Sequence, residues 1–295
     1  MMEARSISGT TGVLGVIGHP VEHTSSPAMH NAALVALELD YVYTAFHVVP
    51  EQLGAAIEGM RALEIRGLNV TVPHKVGVME YLDDISTEAQ VIGAVNTIVN
   101  RNGRLYGYNT DAYGVMESLK QQGGLVKLPA KVGLLGAGGA ARAILYALLQ
   151  CVEVEEILLY NRTVEKAEAL AADLDKMGKR VRVNLLDVSA MDALAETELI
   201  INSTSVGMYP QVEASPLEAS CSVLHRDMLV LDIVYNPPLT QLMQETLAVG
   251  GRALNGLGML AYQAARAFEI WTGKTPPVEA MMLAAQDRMK SQSKK

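Results

Sequence analysis

Short apolar runs along the chain alternate with stretches in which apolar residues recur every three or four positions. Residues 12–18 form an apolar run that stops at Gly18, His19 and Pro20, which predicts a first strand. A polar loop over 21–26 follows. Pro27 then sits in a first helical turn behind Ser26 as N-cap, with Met29, Ala32, Ala33, Ala36 and Leu37 at helical spacing. The pattern continues with a strand over 41–48, a helix over 52–63 and a strand over 65–72, ended where Pro73 removes a backbone donor. A helix over roughly 75–82 and a hairpin, 97–99 with 104–108 around Asn102 and Gly103, complete the first stretch.

After the turn at Gly123 and Gly124 the period changes. Residues 131–135, 156–160, 180–184, 199–202 and 228–233 are five strand candidates with helical stretches between most of them, the mark of a parallel, doubly wound sheet. A long apolar helix over 259–271 and a shorter one over 278–289 close the chain, and there is no solenoid repeat or low-complexity tract. If the second sheet ends near Gly251, the last two helices are not needed to complete it. The expected division is therefore a discontinuous first domain, 1–122 plus 255–295, around a second domain, 123–254. Crossings near 111–122 and 254–268 would leave a cleft for a small ligand.

Composition agrees with this pattern and narrows the function. The chain has 295 residues, 49% hydrophobic and 19% charged, which is globular material long enough to favour two domains over one. Aromatics are only 5% while Ala, Leu, Val and Gly abound, so the expected fold class is α/β. The net charge is −8 and no Lys/Arg run stands out except the terminal Lys294 and Lys295, which argues against nucleic acid as a partner. No apolar run reaches the ~18 residues of a membrane span, and residues 1–11 lack the basic flank and apolar core of a signal peptide. Two cysteines, Cys151 and Cys221, do not make a disulfide framework, so a reducing, cytoplasmic setting is expected.

The clearest motif is Gly136, Ala137, Gly138, Gly139, Ala140, Ala141, which fits G-x-G-x-x-[G/A] between a strand and an apolar helix over 143–149. Gly136 permits the tight turn, Gly138 removes a side chain that would block a pyrophosphate, and Ala141 lets the helix pack closely. The next strand ends at Tyr160, Asn161, Arg162 and Thr163, with Lys166 three residues on and no carboxylate before Glu165. An acidic residue there would select NAD. Arg162, Thr163 and Lys166 suit a 2′-phosphate, so NADP is the expected cofactor. The segment 202–208, NSTSVGM with Thr204, reads either as a crevice wall lining the cofactor or as a plain turn.

A second group of polar residues gathers at predicted element ends: Asn69, Thr71 and Lys75; Asn96 and Thr97; Asn109, Thr110 and Asp111; Thr24, Ser25 and Ser26. These residue types hold polyhydroxylated small molecules, and a hydroxyl with a cation also holds a carboxylate. Lys75 is the candidate acid/base group and Asp111 its holder. On spacing alone, Lys75 could equally be an exposed helix-start lysine, and Asp111 the N-cap of a helix over 112–119. His19 and His23 are four apart, but Pro20 bars the helix that would align them, and the remaining histidines lack ligand spacing, so no metal is expected. Met259, Met281 and Met282 read as core fillers.

Taken in order, GHPVEHTSSPAMHN, NVTVPHK, GAVNT, YNTD, GAGGAAR, NRT, NSTSVGM, DIVYNPPLT and NGLGMLAYQAARAF resemble the shikimate dehydrogenase family over nearly the whole chain. The resemblance implies a substrate domain and a Rossmann-type NADP domain. It implies reversible NADPH-dependent reduction of 3-dehydroshikimate to shikimate, on the route to chorismate and the aromatic amino acids. Lys75 is then the acid/base group with Asp111 as partner, and Thr24, Ser26, Thr71, Asn96, Tyr235 and Gln263 are the substrate residues. Gly136, Ala137, Gly138, Gly139, Ala140, Asn161, Arg162, Thr163, Lys166, Thr204, Ile233 and Gly256 would face the cofactor, and a homodimer is compatible. The family usually has Ser where this chain has Thr24, which keeps the hydroxyl but adds a methyl and stiffens the rotamer. Three rivals are weaker. A catabolic quinate/shikimate dehydrogenase using NAD would want a carboxylate near Asn161. A folate dehydrogenase or an aminoacyl-tRNA-type reductase gives no reason for pairing Lys75 with Asp111. A non-enzymatic NADP-sensing module would have no reason to keep Lys75.

Overall fold

In the computed structural model, which describes residues 7–178, 180–186, 191–217 and 223–292, the chain divides into two units. One comprises Met1–Thr110 and Ala261–Lys295, the other Asp111–Leu260. Cys221, Lys294 and Lys295 lie outside the described residues.

The first unit is built on a six-stranded sheet with elements numbered in chain order: β1 (Gly12–Gly18), α1 (Ser26–Ala36), β2 (Tyr41–His47), α2 (Leu53–Ala62), β3 (Gly67–Val70), β4 (Asp84–Ile85), α3 (Thr87–Ile92), β5 (Thr97–Arg101) and β6 (Arg104–Tyr108). The strand order is β2-β1-β3-β5-β6-β4. β1 pairs in parallel with β2 and β3, whereas β5 runs antiparallel to β3, with Asn69 opposite Thr97. Ile17, Leu68, Val70 and Ile98 pack on Ile57 and Met60 of α2, all within 2% of full burial. The chain returns to this unit within α8 (Leu257–Thr272) and ends in α9 (Val278–Gln292), which packs on α1. Trp271 of α8 packs against Gly67, where a Cβ would collide with the indole, and donates its ring N–H to the Ile98 carbonyl (2.9 Å).

Three local expectations are corrected here. The N-cap of α1 is Ser25, not Ser26, and its side chain makes no capping bond. Ser26 instead donates its backbone N–H to Thr24 Oγ1 (3.2 Å). A cap is worth ~1 kcal/mol, and burying each of Met29 and Leu34 ~1.5–3 kcal/mol, so packing holds this helix. The helix expected over 75–82 is a turn followed by a 3-10 helix, Gly77–Tyr81, since Pro73 and Gly77 leave no run of helix formers long enough for an α-helix. Finally, the second sheet does not end near Gly251.

That sheet, in the second unit, gains a sixth strand. After α4 (Asp111–Gln121) come β7 (Lys131–Leu135), α5 (Gly139–Gln150), β8 (Glu156–Asn161), α6 (Val164–Leu174), β9 (Val181–Leu185), β10 (Leu199–Asn202), β11 (Leu229–Asp232), α7 (Gln241–Ala248) and β12 (Arg252–Asn255). The order is β12-β11-β10-β7-β8-β9 and every pairing is parallel. β12 is a partly exposed edge strand opening on an arginine, so it lacks the apolar run that marks its neighbours. Connections leave β7 in opposite directions toward β8 and β10, and ligands of such sheets bind at the carboxyl ends beside that reversal.

Among the described residues, no helix is long and apolar enough to cross a membrane, no three His, Cys, Asp or Glu side chains cluster as a metal site, and Cys151 is a free thiol.

Candidate active site

Because β5 is antiparallel, its first residues meet the carboxyl end of β3, and the polar ends of several elements share one edge of the first sheet. β3 gives way to a turn in which Thr71 donates its N–H to the Ile17 carbonyl (3.0 Å). His74, 2% exposed, has Nε2 2.7 Å from the Val48 carbonyl; a carbonyl only accepts, so Nε2 carries the proton. The Lys75 carbonyl accepts from Val95 N–H (2.8 Å), so the backbone beside half-buried Lys75 is fixed from two strands' neighbours.

Asn96 is the hub of this edge. Its Oδ1 accepts from Thr110 N–H (2.8 Å) and from the Thr97 hydroxyl (3.0 Å), and its Nδ2 donates to Thr110 Oγ1 (3.0 Å) and toward Gln263 Oε1 (3.4 Å). Gln263 comes from α8, so the hub gathers side chains far apart in sequence. Thr24 donates to the Ser26 hydroxyl (3.1 Å) at the start of α1, in the same unit. Asp111, 5% exposed, is the first residue of α4 in the second unit.

In the second unit the glycine-rich turn leaves β7 with Gly136 at φ +103°, where a Cβ would stand 2.7 Å from Ser203 Oγ. Only glycine fits both constraints. Its N–H donates to the Tyr160 carbonyl (2.7 Å), which ties the turn to the end of β8. Gly138 is the uncapped N-cap of α5, and the space before the Cβ positions of Gly138 and Gly139 is open. Ala137 and Ala140 complete the turn. β8 ends at Asn161, whose side-chain amide donates to the Thr163 carbonyl (2.7 Å); exposed Arg162 and Thr163 follow, and exposed Lys166 lies in the first turn of α6. Open backbone at a helix N-terminus with guanidinium and ammonium groups on the adjoining strand end fits a dinucleotide carrying a 2′-phosphate.

Thr204, Ile233, Tyr235 and Gly256 lie at the carboxyl ends of β10, β11 and β12. That rim is shaped by Asn202, which opens the NSTSVGM segment, together with Asp232 and Thr240, the ends of DIVYNPPLT, to which the sequence reading gave no role of their own. Asn202 accepts from the Thr204 hydroxyl (2.7 Å) and donates to Asp232 Oδ1 (2.9 Å), which also accepts from Val234 N–H (3.1 Å), while Asp232 Oδ2 accepts from Thr240 (2.7 Å). Asp232 is fully buried, and burial pushes its carboxyl pKa up against these donors. Burial likewise raises the Tyr235 phenol. A signal was present, since both Asn202 and Asp232 are strand-terminal polar residues inside apolar runs. Gly256 rests directly on the Ile233 main chain and donates to the Val234 carbonyl (3.1 Å).

Comparison with known proteins agrees with this arrangement. The profile for the shikimate dehydrogenase substrate binding domain matches residues 16–98, that for shikimate/quinate 5-dehydrogenase 120–246, and that for the shikimate 5-dehydrogenase C-terminal domain 256–286. A shikimate dehydrogenase (NADP+) of Methanocaldococcus jannaschii is 46% identical over 288 residues, covering 96% of this chain and 99% of its own. A crystal structure of a shikimate dehydrogenase in complex with NADP+ aligns with TM-score 0.89 at 45% identity, over 96% of this chain and 98% of the other. The Thermus thermophilus enzyme in complex with NADP(H) and shikimate aligns with TM-score 0.83 at 38% identity, over 94% and 99%. With matches at this identity running almost end to end, the chain belongs to the shikimate dehydrogenase family.

Proposed function

We propose that this chain catalyses the reversible NADP-dependent interconversion of shikimate and 3-dehydroshikimate, serving the synthesis of chorismate and the aromatic amino acids in the cytoplasm. The observation that carries the reading is the Asn96 hub, which draws Thr110 and Gln263 to the edge that bears Thr71 and Lys75. Thr24, Ser26, Thr71, Asn96 and Gln263 hold the substrate's carboxylate and hydroxyls, and Tyr235 completes the substrate contacts. The first unit is thus assigned to substrate and the second to cofactor.

NADPH, when bound, supplies a hydride to the ring carbonyl. Gly136, Ala137, Gly138, Gly139 and Ala140 hold its pyrophosphate, and Asn161, Arg162, Thr163 and Lys166 its adenosine phosphate. Thr204, Ile233 and Gly256 line the nicotinamide end. The Lys75 ammonium gives its proton to the carbonyl oxygen as the alcohol forms, and takes it back when shikimate is oxidised. Asp111 is assigned as the acidic partner that favours the charged lysine. The bond from Val95 N–H to the Lys75 carbonyl fixes the main chain from which the ammonium reaches the substrate, and orienting reacting groups in this way lowers barriers by several kcal/mol in general.

The test is an absorbance assay of nicotinamide reduction with shikimate or quinate, each with NADP+ or NAD+. Shikimate with NADP+ should give the highest kcat/KM. No reduction with shikimate, or a preference for quinate and NAD+, would overturn the proposal.

A further inference from the structure

The rim at the carboxyl ends of β10, β11 and β12 is tied together by one side chain that the chemistry above does not use. Asp232 Oδ1 accepts from Val234 N–H, and the Val234 carbonyl accepts in turn from Gly256 N–H (3.1 Å each). The same Oδ1 takes the Asn202 amide (2.9 Å), while Asn202 Oδ1 accepts both the N–H (3.0 Å) and the hydroxyl (2.7 Å) of Thr204. The Asn202 carbonyl accepts from Ile233 N–H (3.0 Å). Thr204, Ile233 and Gly256, the residues assigned to the nicotinamide end, are thus each linked to Asp232 through at most one neighbour.

The directions of these bonds follow from the main chain. A backbone N–H only donates, so the Asn202 atom that meets Thr204 N–H is Oδ1, and the atom that faces Asp232 is the amide nitrogen. Thr240 Oγ1 caps α7 by accepting from Met243 N–H (3.4 Å), which leaves its proton for Asp232 Oδ2 (2.7 Å). Every polar neighbour therefore presents a hydrogen to this carboxyl, the surroundings that suit an ionised one. Among the described residues no cation pairs with it, and the positive amino end of α7 reaches it only through Thr240. Buried charges are as a rule paired, since leaving water is costly. Here the chain supplies no partner.

We propose that Asp232 tunes the cofactor: its buried negative charge favours the oxidised, cationic nicotinamide over the reduced, neutral one. The inference rests on the reading of Thr204, Ile233 and Gly256 as the nicotinamide end. The two cofactor states differ by a single positive charge on that ring. A fixed charge at the rim acts on one state and hardly on the other, and burial spares it the screening that water would impose. As the hydride, one proton with two electrons, passes to the substrate's carbonyl carbon and Lys75 protonates the oxygen, the positive charge appears on the ring, where Asp232 is already in place to meet it. The carboxylate thus makes the bound reduced cofactor a stronger hydride donor.

The experiment is calorimetric titration of the full chain at pH 8 with NADP+, NADPH and adenosine 2′,5′-bisphosphate, which lacks the nicotinamide. It compares wild type, Asp232→Asn and Thr240→Ala. Asn keeps the shape of Asp and needs only the Thr240 bond to reverse. Asp232→Asn should raise the ratio of the NADP+ Kd to the NADPH Kd at least about fivefold, about 1 kcal/mol, and leave the bisphosphate Kd within about twofold. Thr240→Ala loosens the rim but keeps the charge, so its ratio should stay within about twofold of wild type. An unchanged ratio in Asp232→Asn overturns the proposal, as does an equal shift in Thr240→Ala. If NADP+ and NADPH weaken equally in Asp232→Asn with the bisphosphate unchanged, the nicotinamide stays at this rim and only the role of the charge falls. Three unchanged Kd values overturn the placement of the nicotinamide as well. If Asp232→Asn does not fold, the wild type decides: NADP+ should bind no more weakly than NADPH, and NADPH bound more than about tenfold tighter overturns the proposal.

Discussion

His30 makes the stability of the first unit depend on pH in a way that can be worked out from its surroundings. It is fully buried, and desolvation lowers its pKa from 6.5 to about 3 against the opposing effect of the Asn69 side chain. Between those two values the unfolded chain binds a proton that the folded chain refuses. Stability is therefore flat above pH 6.5 and falls as the pH drops below it, by up to ~1.4 kcal/mol per unit until the folded pKa is reached. From pH 7.5 to pH 5 this single group costs about 2 kcal/mol. The perturbation is His30→Phe, which removes the titrating group and keeps the ring. The assay is urea unfolding followed by fluorescence of Trp271, the only tryptophan, whose ring centroid lies 5.3 Å from that of His30 and which therefore reports this unit. Other groups titrate in both proteins, so the quantity that matters is the difference between the two pH curves. It should open by about 2 kcal/mol between pH 7.5 and pH 5, with the wild type losing more. Parallel curves over that range would refute the argument.

Lys75→Ala should lower kcat by at least ~100-fold while moving the shikimate KM less than ~10-fold, and a mere rise in KM would make Lys75 a binding residue. NADP+ should be preferred over NAD+ at least ~10-fold, about 1.4 kcal/mol, and Arg162→Ala should erode that preference; equal losses for both cofactors would remove the phosphate role. Gly136→Ala should lose ~1–3 kcal/mol of stability, because φ +103° is hostile to a side chain and Ser203 Oγ occupies the space. Gly138→Ala should leave melting unchanged and weaken NADP+ binding, since only open space lies before that Cβ; a lowered melting temperature would contradict this. Asp232→Ala strands the buried donors of Asn202 and Thr240 and should cost ~2–4 kcal/mol in thermal unfolding.

Elements that carry their own apolar run were legible from the sequence: β1 and β7 occupy the residues that the pattern assigns them. So was the strand–turn–helix context of Gly136. Elements defined by their neighbours were not. α3 is six residues long, less than two turns, and shows itself only through the Ser86 cap on Ala89 N–H and the left-handed Gly93. β12 exists because β11 offers it a parallel partner, and β4 is two residues borrowed by β6. The same holds at the candidate site. Asn96, Thr71 and Lys75 stand out as polar residues at element ends, but the bond from Tyr43 to Asn69 and the stacking of His30 on Tyr43 depend on which strand lies beside which. Within its own strand Tyr43 looks like ordinary core.

The first unit is assembled from two stretches on either side of the second, Met1–Thr110 and Ala261–Lys295, and this sets an order on its synthesis. When the ribosome has released β1 through β6, the face of α1 that packs on α9 and the groove at Gly67 that receives Trp271 are still uncovered. The second unit, whose residues are contiguous, needs nothing made later than Leu260. It can fold while the strands made before it wait for the residues made after it. A nascent chain stalled before Ala261 should therefore carry a finished nucleotide-type sheet beside an unsealed one, and it is on the unsealed one that chaperones and proteases find their opportunity.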